Sequence, residues 1–165
     1  MTRPTRTTQL QIRVSPAQKA AIQRAARRVG LDMSGYVLAR TLSAPAEAFQ
    51  GTVRSCFDPG AAAFALAELN RLLSGLGPAE LAAAVASPPP PGLTPYLANY
   101  VAAMVEYACA RRSLPPPRWT AAIPPLAEPV FGSSLQSLRL QLLRHSPPPF
   151  RRRNIFIDAS LDAQV

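Results

Sequence analysis

The sequence predicts a mainly α protein, with one short strand near its N-terminus followed by helices that prolines interrupt. Three observations carry that expectation. The chain has 165 residues and is 48% hydrophobic, rich in alanine and leucine, which leaves enough apolar surface for a core and favours helix. It has 19 prolines, far above the usual ~5%, and the clusters at 88–91, 115–117, 124–125 and 147–149 limit the length of any helix. Clear early period-two alternation occurs in residues 9–14, where Leu10, Ile12 and Val14 alternate with Gln9, Gln11 and Arg13.

The first helix follows directly. Ser15 is a good N-cap, Pro16 suits the first helical position, and Gln18 three residues on completes a capping box. Ile22, Ala25, Ala26 and Val29 make its apolar stripe, with Lys19, Gln23, Arg24, Arg27 and Arg28 opposite. Gly30 is placed to end it. A second helix restarts in "LDMSGYVLARTL", capped by Asp32 or Ser34, and Pro45 is expected to stop it.

The middle is alanine-rich and helical over residues 61–77, with a shorter helix after Pro78. "SPPPPG" reads as an extended connector within residues 87–93. Thr94-Pro95 then opens a helix with the stripe Leu97, Val101, Met104, Val105, Ala108. In "LPPPRWTAAIPPLAEPVFG" proline denies both helix and central strand, yet Trp119, Ile123, Leu126, Val130 and Phe131 need burial. An ordered, wandering segment is expected there. "SSLQSLRLQLLRHS" reads as a compact helix with Leu135, Leu138 and Leu142 on one side, and residues 155–157 as a short strand.

Charge is uneven along the chain. Of the net +9, residues 1–40 carry +7, residues 41–143 balance, and residues 144–165 carry +2. A polyanion partner for the N-terminal module is the reading that excess favours. Cys56 and Cys109 form no C-x-x-C pair, and no run is long and apolar enough to span a membrane, so a reduced, cytoplasmic protein is expected. No cofactor, metal or catalytic set is expected. His145 is the sole histidine and sits at a helix end, phosphate-loop motifs are absent, and Glu47, Glu68, Glu80 and Glu106 read as surface residues.

A lone strand leaves a ladder of backbone groups unpaired. Residues 9–14 could fray, pair with residues 155–157 of the same chain, or pair with the same strand of a second copy. The last choice gives an antiparallel ribbon on a dimer axis, its apolar face on four helices and Gln9, Gln11 and Arg13 outward. The ordered set of strand, Ser-Pro, helix, Gly-x-x-x-Ser and helix in "LQIRVSPAQKAAIQRAARRVGLDMSGYVLARTL" resembles the ribbon-helix-helix DNA-binding proteins of the Arc/MetJ type. Within that family it looks particularly like antitoxins of bacterial toxin–antitoxin operons. The resemblance covers residues 8–43.

It implies a homodimer that lays its ribbon in the major groove of operator DNA, where side chains can read base edges. Gln9, Gln11 and Arg13 are then the candidate readers, with Thr7 and Thr8 beside them. Arg3 and Arg6 would reach neighbouring backbone, and amides near Ser34 would hold a phosphate. Asp32 departs from that picture, because an acid repels a phosphate unless it turns to cap the helix.

The organisation expected is a basic arm (1–8), a DNA-binding and dimerisation head (9–43), a helical middle (44–113) and a C-terminal segment (114–165). In the last, Phe150, Arg151, Arg152, Arg153, Ile155, Phe156 and Trp119 alternate anchors with charges. They suit either an acidic partner surface or the protein's own core. The stretch 115–158 also looks similar to C-terminal segments of antitoxin-like proteins, some paired with nucleotidyltransferase-type toxins. The functional expectation is thus a non-enzymatic antitoxin that blocks a toxin and represses its operon. Two alternatives stand beside it: a ribbon-helix-helix regulator or plasmid relaxosome accessory protein without a toxin, and a monomeric scaffold in which residues 9–14 pair with 155–157.

Overall fold

The computed structural model describes residues 11–158, the side chains of residues 39 and 41–43 excepted. Its elements run α1 (Pro16–Arg28), α2 (Met33–Ser55), α3 (Ala62–Gly75), α4 (Pro78–Ala84), α5 (Pro95–Ala110), α6 (Arg118–Ala121), β1 (Val130–Phe131), a 3-10 turn (Gln136–Leu138), α7 (Arg139–His145), α8 (Pro148–Arg151) and β2 (Ile155–Phe156). The protein is mainly α, as its composition predicts. It divides into two compact units between Thr41 and Leu42, a boundary inside α2.

Pro45 does not end α2, contrary to the sequence reading. A proline inside a helix removes one backbone hydrogen bond and crowds the preceding turn. Here the turns beyond it continue because Phe49 and Val53 are completely buried and hold them in the core of the C-terminal unit. Tertiary burial outweighs the local penalty.

In the N-terminal unit, α1 ends in a Schellman motif. The Leu31 amide donates to the Ala26 carbonyl (3.0 Å) and the Gly30 amide to the Arg27 carbonyl (3.2 Å), with Gly30 at φ +69°. Residues 11–14 form no strand, and among the described residues they have no ladder partner within the chain.

The C-terminal unit is built around α5. Val101, Ala103, Val105 and Cys109 are buried there, against α3, α4, α6 and α8. Leu69 and Leu73 of α3, Leu81 of α4, Phe150 of α8 and Ile155 of β2 complete the core. Residues on both sides of position 114 contribute to this one core.

The proline-rich segments are ordered through their carbonyls. A proline cannot donate a backbone hydrogen bond, but its carbonyl still needs a donor when buried. Side chains supply it: Gln50 donates to Pro88 (2.9 Å), Asn99 to Pro95 and Pro124 (3.0 Å each), and Thr120 to Pro117 (3.0 Å). The indole of Trp119 donates to the Val85 carbonyl at 2.8 Å. Arg112 does the same for a helix end: it donates to the carbonyls of Leu73, Ser74 and Leu76 at the close of α3 and to Ala108 of α5.

β1 and β2 pair in parallel, Val130 opposite Ile155 and Phe131 opposite Phe156. β2 thus takes β1 as a partner, and the described residues 11–14 do not pair with it. Asn154, at φ +58°, turns the chain from α8 into β2 and donates to the Leu126 carbonyl. The predicted helix over residues 133–146 is shorter than expected. It opens as the 3-10 turn and becomes α7, which buries Leu142 alone, while Leu135 stands 60% exposed.

Candidate nucleic-acid interface

The turn from the N-terminal segment into α1 is fixed by a reciprocal capping box. The Ser15 hydroxyl accepts from the Gln18 amide (3.2 Å), and the Gln18 side-chain carbonyl accepts from the Ser15 amide (2.9 Å). Ser15 itself is extended, at φ −68° and ψ 158°. The extended Ser15 therefore sets the direction in which the chain enters α1.

Gln11 and Arg13 are exposed, and so are Ile12 and Val14 between and beyond them. Gln9, Thr7, Thr8, Arg3 and Arg6 lie outside the described residues. Lys19, Arg24, Arg27 and Arg28 are exposed on α1. Arg27 and Arg28 fall in its last turn, where a cation also complements the helix dipole.

The start of α2 resolves the difficulty that Asp32 raised. Its carboxylate accepts from the Gly35 amide at 2.5 Å, so the acid caps the helix. A Cβ at Gly35 would meet the Asp32 carboxylate oxygen at 2.6 Å, so a larger residue there makes that side chain shift. The amides of Met33 and Ser34, in the first turn, have no intrahelical acceptor by the geometry of any helix start. Ser34 is exposed beside them. The arrangement can hold a phosphate oxygen on two amides and a hydroxyl, next to a carboxylate already engaged.

The unit exposes apolar surface as well. Ile12, Val14, Val29, Leu31, Met33 and Leu38 range from 38% to 58% exposed, and Ala26 is its buried hydrophobic residue among those described. Among its described residues the unit buries little apolar surface.

The C-terminal candidates sit elsewhere and do other work. Phe150 is buried, edge-on to Tyr100 at 5.3 Å, and Ile155 is fully buried. Phe156 stacks on Phe131 at 5.1 Å, and Trp119 is half-buried with its indole N–H engaged. Arg153 is buried inside the unit. It donates to Asn99 Oδ1 (3.0 Å), Glu106 Oε1 (2.6 Å) and the carbonyls of Thr120 (2.7 Å) and Ile123 (3.3 Å). Only Arg151 and Arg152 of the arginine triplet are exposed. Of the two readings of this stretch, Phe150, Arg153, Ile155 and Trp119 follow the one in which it folds onto the chain's own core.

Sequence reasoning missed this cluster, and it placed Glu106 on the surface. Glu106 is mostly buried, its side chain 13% exposed against Arg153. The available signal was an acid set into the apolar run of α5. Among the described residues no group of three or more His, Cys, Asp or Glu side chains could hold a metal, and no helix is long and apolar enough to cross a membrane.

Residues 4–78 match the family of NikA-like mobilization proteins, described as mobilization protein NikA. Neither a curated protein nor a solved structure matches the chain. The family match spans the whole head together with α2 and α3. It supports a ribbon-helix-helix type of DNA-binding head and lends nothing to the toxin–antitoxin resemblance.

Proposed function

We propose that this chain is a homodimeric ribbon-helix-helix DNA-binding protein that acts as an accessory factor in DNA mobilization. The match of residues 4–78 to NikA-like mobilization proteins carries this reading. It favours the relaxosome alternative over the antitoxin. The exposed apolar residues of the N-terminal unit agree with it, because a second copy would cover them and supply the missing strand partner.

In this mechanism residues 9–14 of two copies form an antiparallel ribbon that enters the major groove. Arg13 and the Gln9 and Gln11 side chains offer bidentate donors and acceptors to guanine and adenine edges. The amides at the start of α2, from each copy, hold phosphates on either side and set the register. Arg3, Arg6 and the basic face of α1 add sequence-independent attraction that falls with salt. The protein makes and breaks no covalent bond. It marks a site on the DNA, and the C-terminal unit remains available to another component.

The test is a gel-shift titration of the full chain on duplexes from the transfer-origin region beside its gene, against scrambled duplexes, at several salt concentrations. Arg13→Ala should weaken specific binding by about 1–3 kcal/mol and relax discrimination at one base position. Unchanged binding would reject the ribbon as reading surface. A relaxase gene next door, with no toxin gene, would separate mobilization from the antitoxin reading.

A further inference from the structure

The C-terminal unit leaves one helix face uncovered. α7 is held inward by Leu142, 5% exposed, and by the Ser146 hydroxyl, which lies 2.6 Å from the Leu142 carbonyl and 2.7 Å from that of Ile157 and donates to one at a time. Gln141 reaches Asp158, and His145 Nδ1 lies 2.9 Å from the Gln141 carbonyl. Leu140 and Leu143 point the other way, 68% and 41% exposed. Spaced three and four apart, Leu140, Leu143 and Arg144 share one face of the helix. Leu135, just before the 3-10 turn, is 60% exposed. Scattered exposed leucines are ordinary, but Leu140 and Leu143 stand exposed together on one face of one short helix.

The charges beside the patch select its occupant. Residues 133–146 contain Arg139, Arg144 and His145 and no acid. Arg139 is fixed in place with its guanidinium 5.0 Å above the Phe131 ring, and Arg144 is exposed with no partner among the described residues. A second copy of this face would set cation against cation. A nucleic-acid strand would satisfy the arginines and leave the leucines in water. A protein segment with apolar residues flanked by Asp or Glu satisfies both.

We propose that the Leu140–Leu143 face of α7, bordered by Arg139 and Arg144, docks an acidic amphipathic segment of another protein. The argument uses the C-terminal unit alone, so failure of the DNA-binding reading leaves it standing. It also moves the partner surface from residues 150–156, largely occupied within the fold, to the helix that precedes them.

The experiment places a photo-crosslinking benzoylphenylalanine at Leu140 of the full chain, in the cells that normally make it, with the same residue at Phe64 as an exposed control. The captured protein is then purified and titrated against the full chain. Three results are expected together. Capture occurs at position 140 and not at 64. The crosslinked segment carries Asp or Glu beside aliphatic residues. Arg144→Glu weakens binding at least tenfold, and an acid-to-lysine change in the partner restores it. The double change Arg139→Glu/Arg144→Glu should weaken it further, with Trp119 fluorescence confirming that the unit stays folded. Capture of DNA, of a second copy or of an acid-free segment, no capture above the control, or full affinity in Arg144→Glu would each overturn the proposal.

Discussion

In the C-terminal unit Phe49, Leu69, Val101 and Ile155 are fully buried around α5, whereas Ile12, Val14, Val29, Leu31, Met33 and Leu38 of the N-terminal unit are all more than a third exposed. Both units contain helices with apolar stripes, although the N-terminal one is far more basic. They differ in what closes the fold. The C-terminal unit closes on itself, through a long buried helix and through polar side chains that reach the carbonyls of proline segments. The N-terminal unit has well-capped helices and a set turn, but among its described residues Ala26 alone is a buried hydrophobic. Local helix signals specify elements; a core requires enough chain, or enough copies, to enclose them.

The comparison breaks most sharply at Arg153. Its guanidinium joins Asn99 and Glu106 of α5 to the carbonyls of Thr120 and Ile123, and its Nε is buried without a partner. The cluster ties the last segment to the central helix at the cost of one unsatisfied donor. Arg153→Ala removes the cation and leaves a mostly buried carboxylate behind, so it should destabilise the C-terminal unit by about 3–5 kcal/mol. Trp119 is the only tryptophan and belongs to that unit, so its fluorescence in a urea titration reads this unit alone. A loss below ~1 kcal/mol would show that the cluster does not fasten the segment.

Leu69→Ala comes next, at about 2–5 kcal/mol by the same readout, because Leu69 is fully buried. Cys56 and Cys109 give a second view of the same core. Burial pushes both thiols above their ordinary value, so little thiolate is present near neutral pH. The native protein should resist an aromatic disulfide reagent at pH 7.5, and Leu69→Ala should speed labelling at both positions. Fast labelling of the parent protein would contradict a closed core.

Much of this was legible in the residues, though not uniformly. Ser15-Pro16-Gln18, Gly30 and Thr94-Pro95 announce helix ends because caps depend on a few adjacent side chains, and each falls where the pattern places it. Pro45 misled, since a local rule was overruled by Phe49 and Val53 packing far along the chain. Leu135 misled in the opposite direction: its period suited a buried stripe, yet α7 turns only Leu142 inward. The Arg153 cluster was unreadable because Asn99, Glu106 and Arg153 meet across 54 residues of sequence. At the candidate interface, Gln11 and Arg13 are exposed as a reading surface requires, and the Asp32 cap was one of two options open beforehand.

The α2 start sharpens the comparison on a smaller scale. Asp32→Ala removes the cap and should cost about 0.5–2 kcal/mol of head stability, since no other side chain is shown accepting from the Gly35 amide. Gly35→Ala should cost a similar amount although alanine favours helix, because its Cβ displaces the Asp32 carboxylate. Far-ultraviolet circular dichroism should lose helix in an early thermal phase while Trp119 fluorescence holds. Simultaneous loss of both signals would mean that the two units melt as one.

The smallest effect expected on the C-terminal unit is also the most informative about the N-terminal one. Ile12 and Val14 are exposed in the single chain, so Ile12→Ser/Val14→Ser removes no buried contact of the C-terminal core. The Trp119-monitored urea transition should move by less than ~0.5 kcal/mol. If a second copy covers these residues, the same change removes two apolar side chains from each half of a ribbon. Sedimentation at micromolar concentration should then shift from dimer toward monomer, and DNA affinity should fall with it, because each half-site reader binds alone. A dimer that survives the double change would place the contact between copies elsewhere and leave residues 11–14 an exposed arm. A monomeric parent protein would show instead that the head's apolar face awaits DNA or another chain. In either case the C-terminal unit should be indifferent, which is what separates a fold closed by its own chain from one that is not.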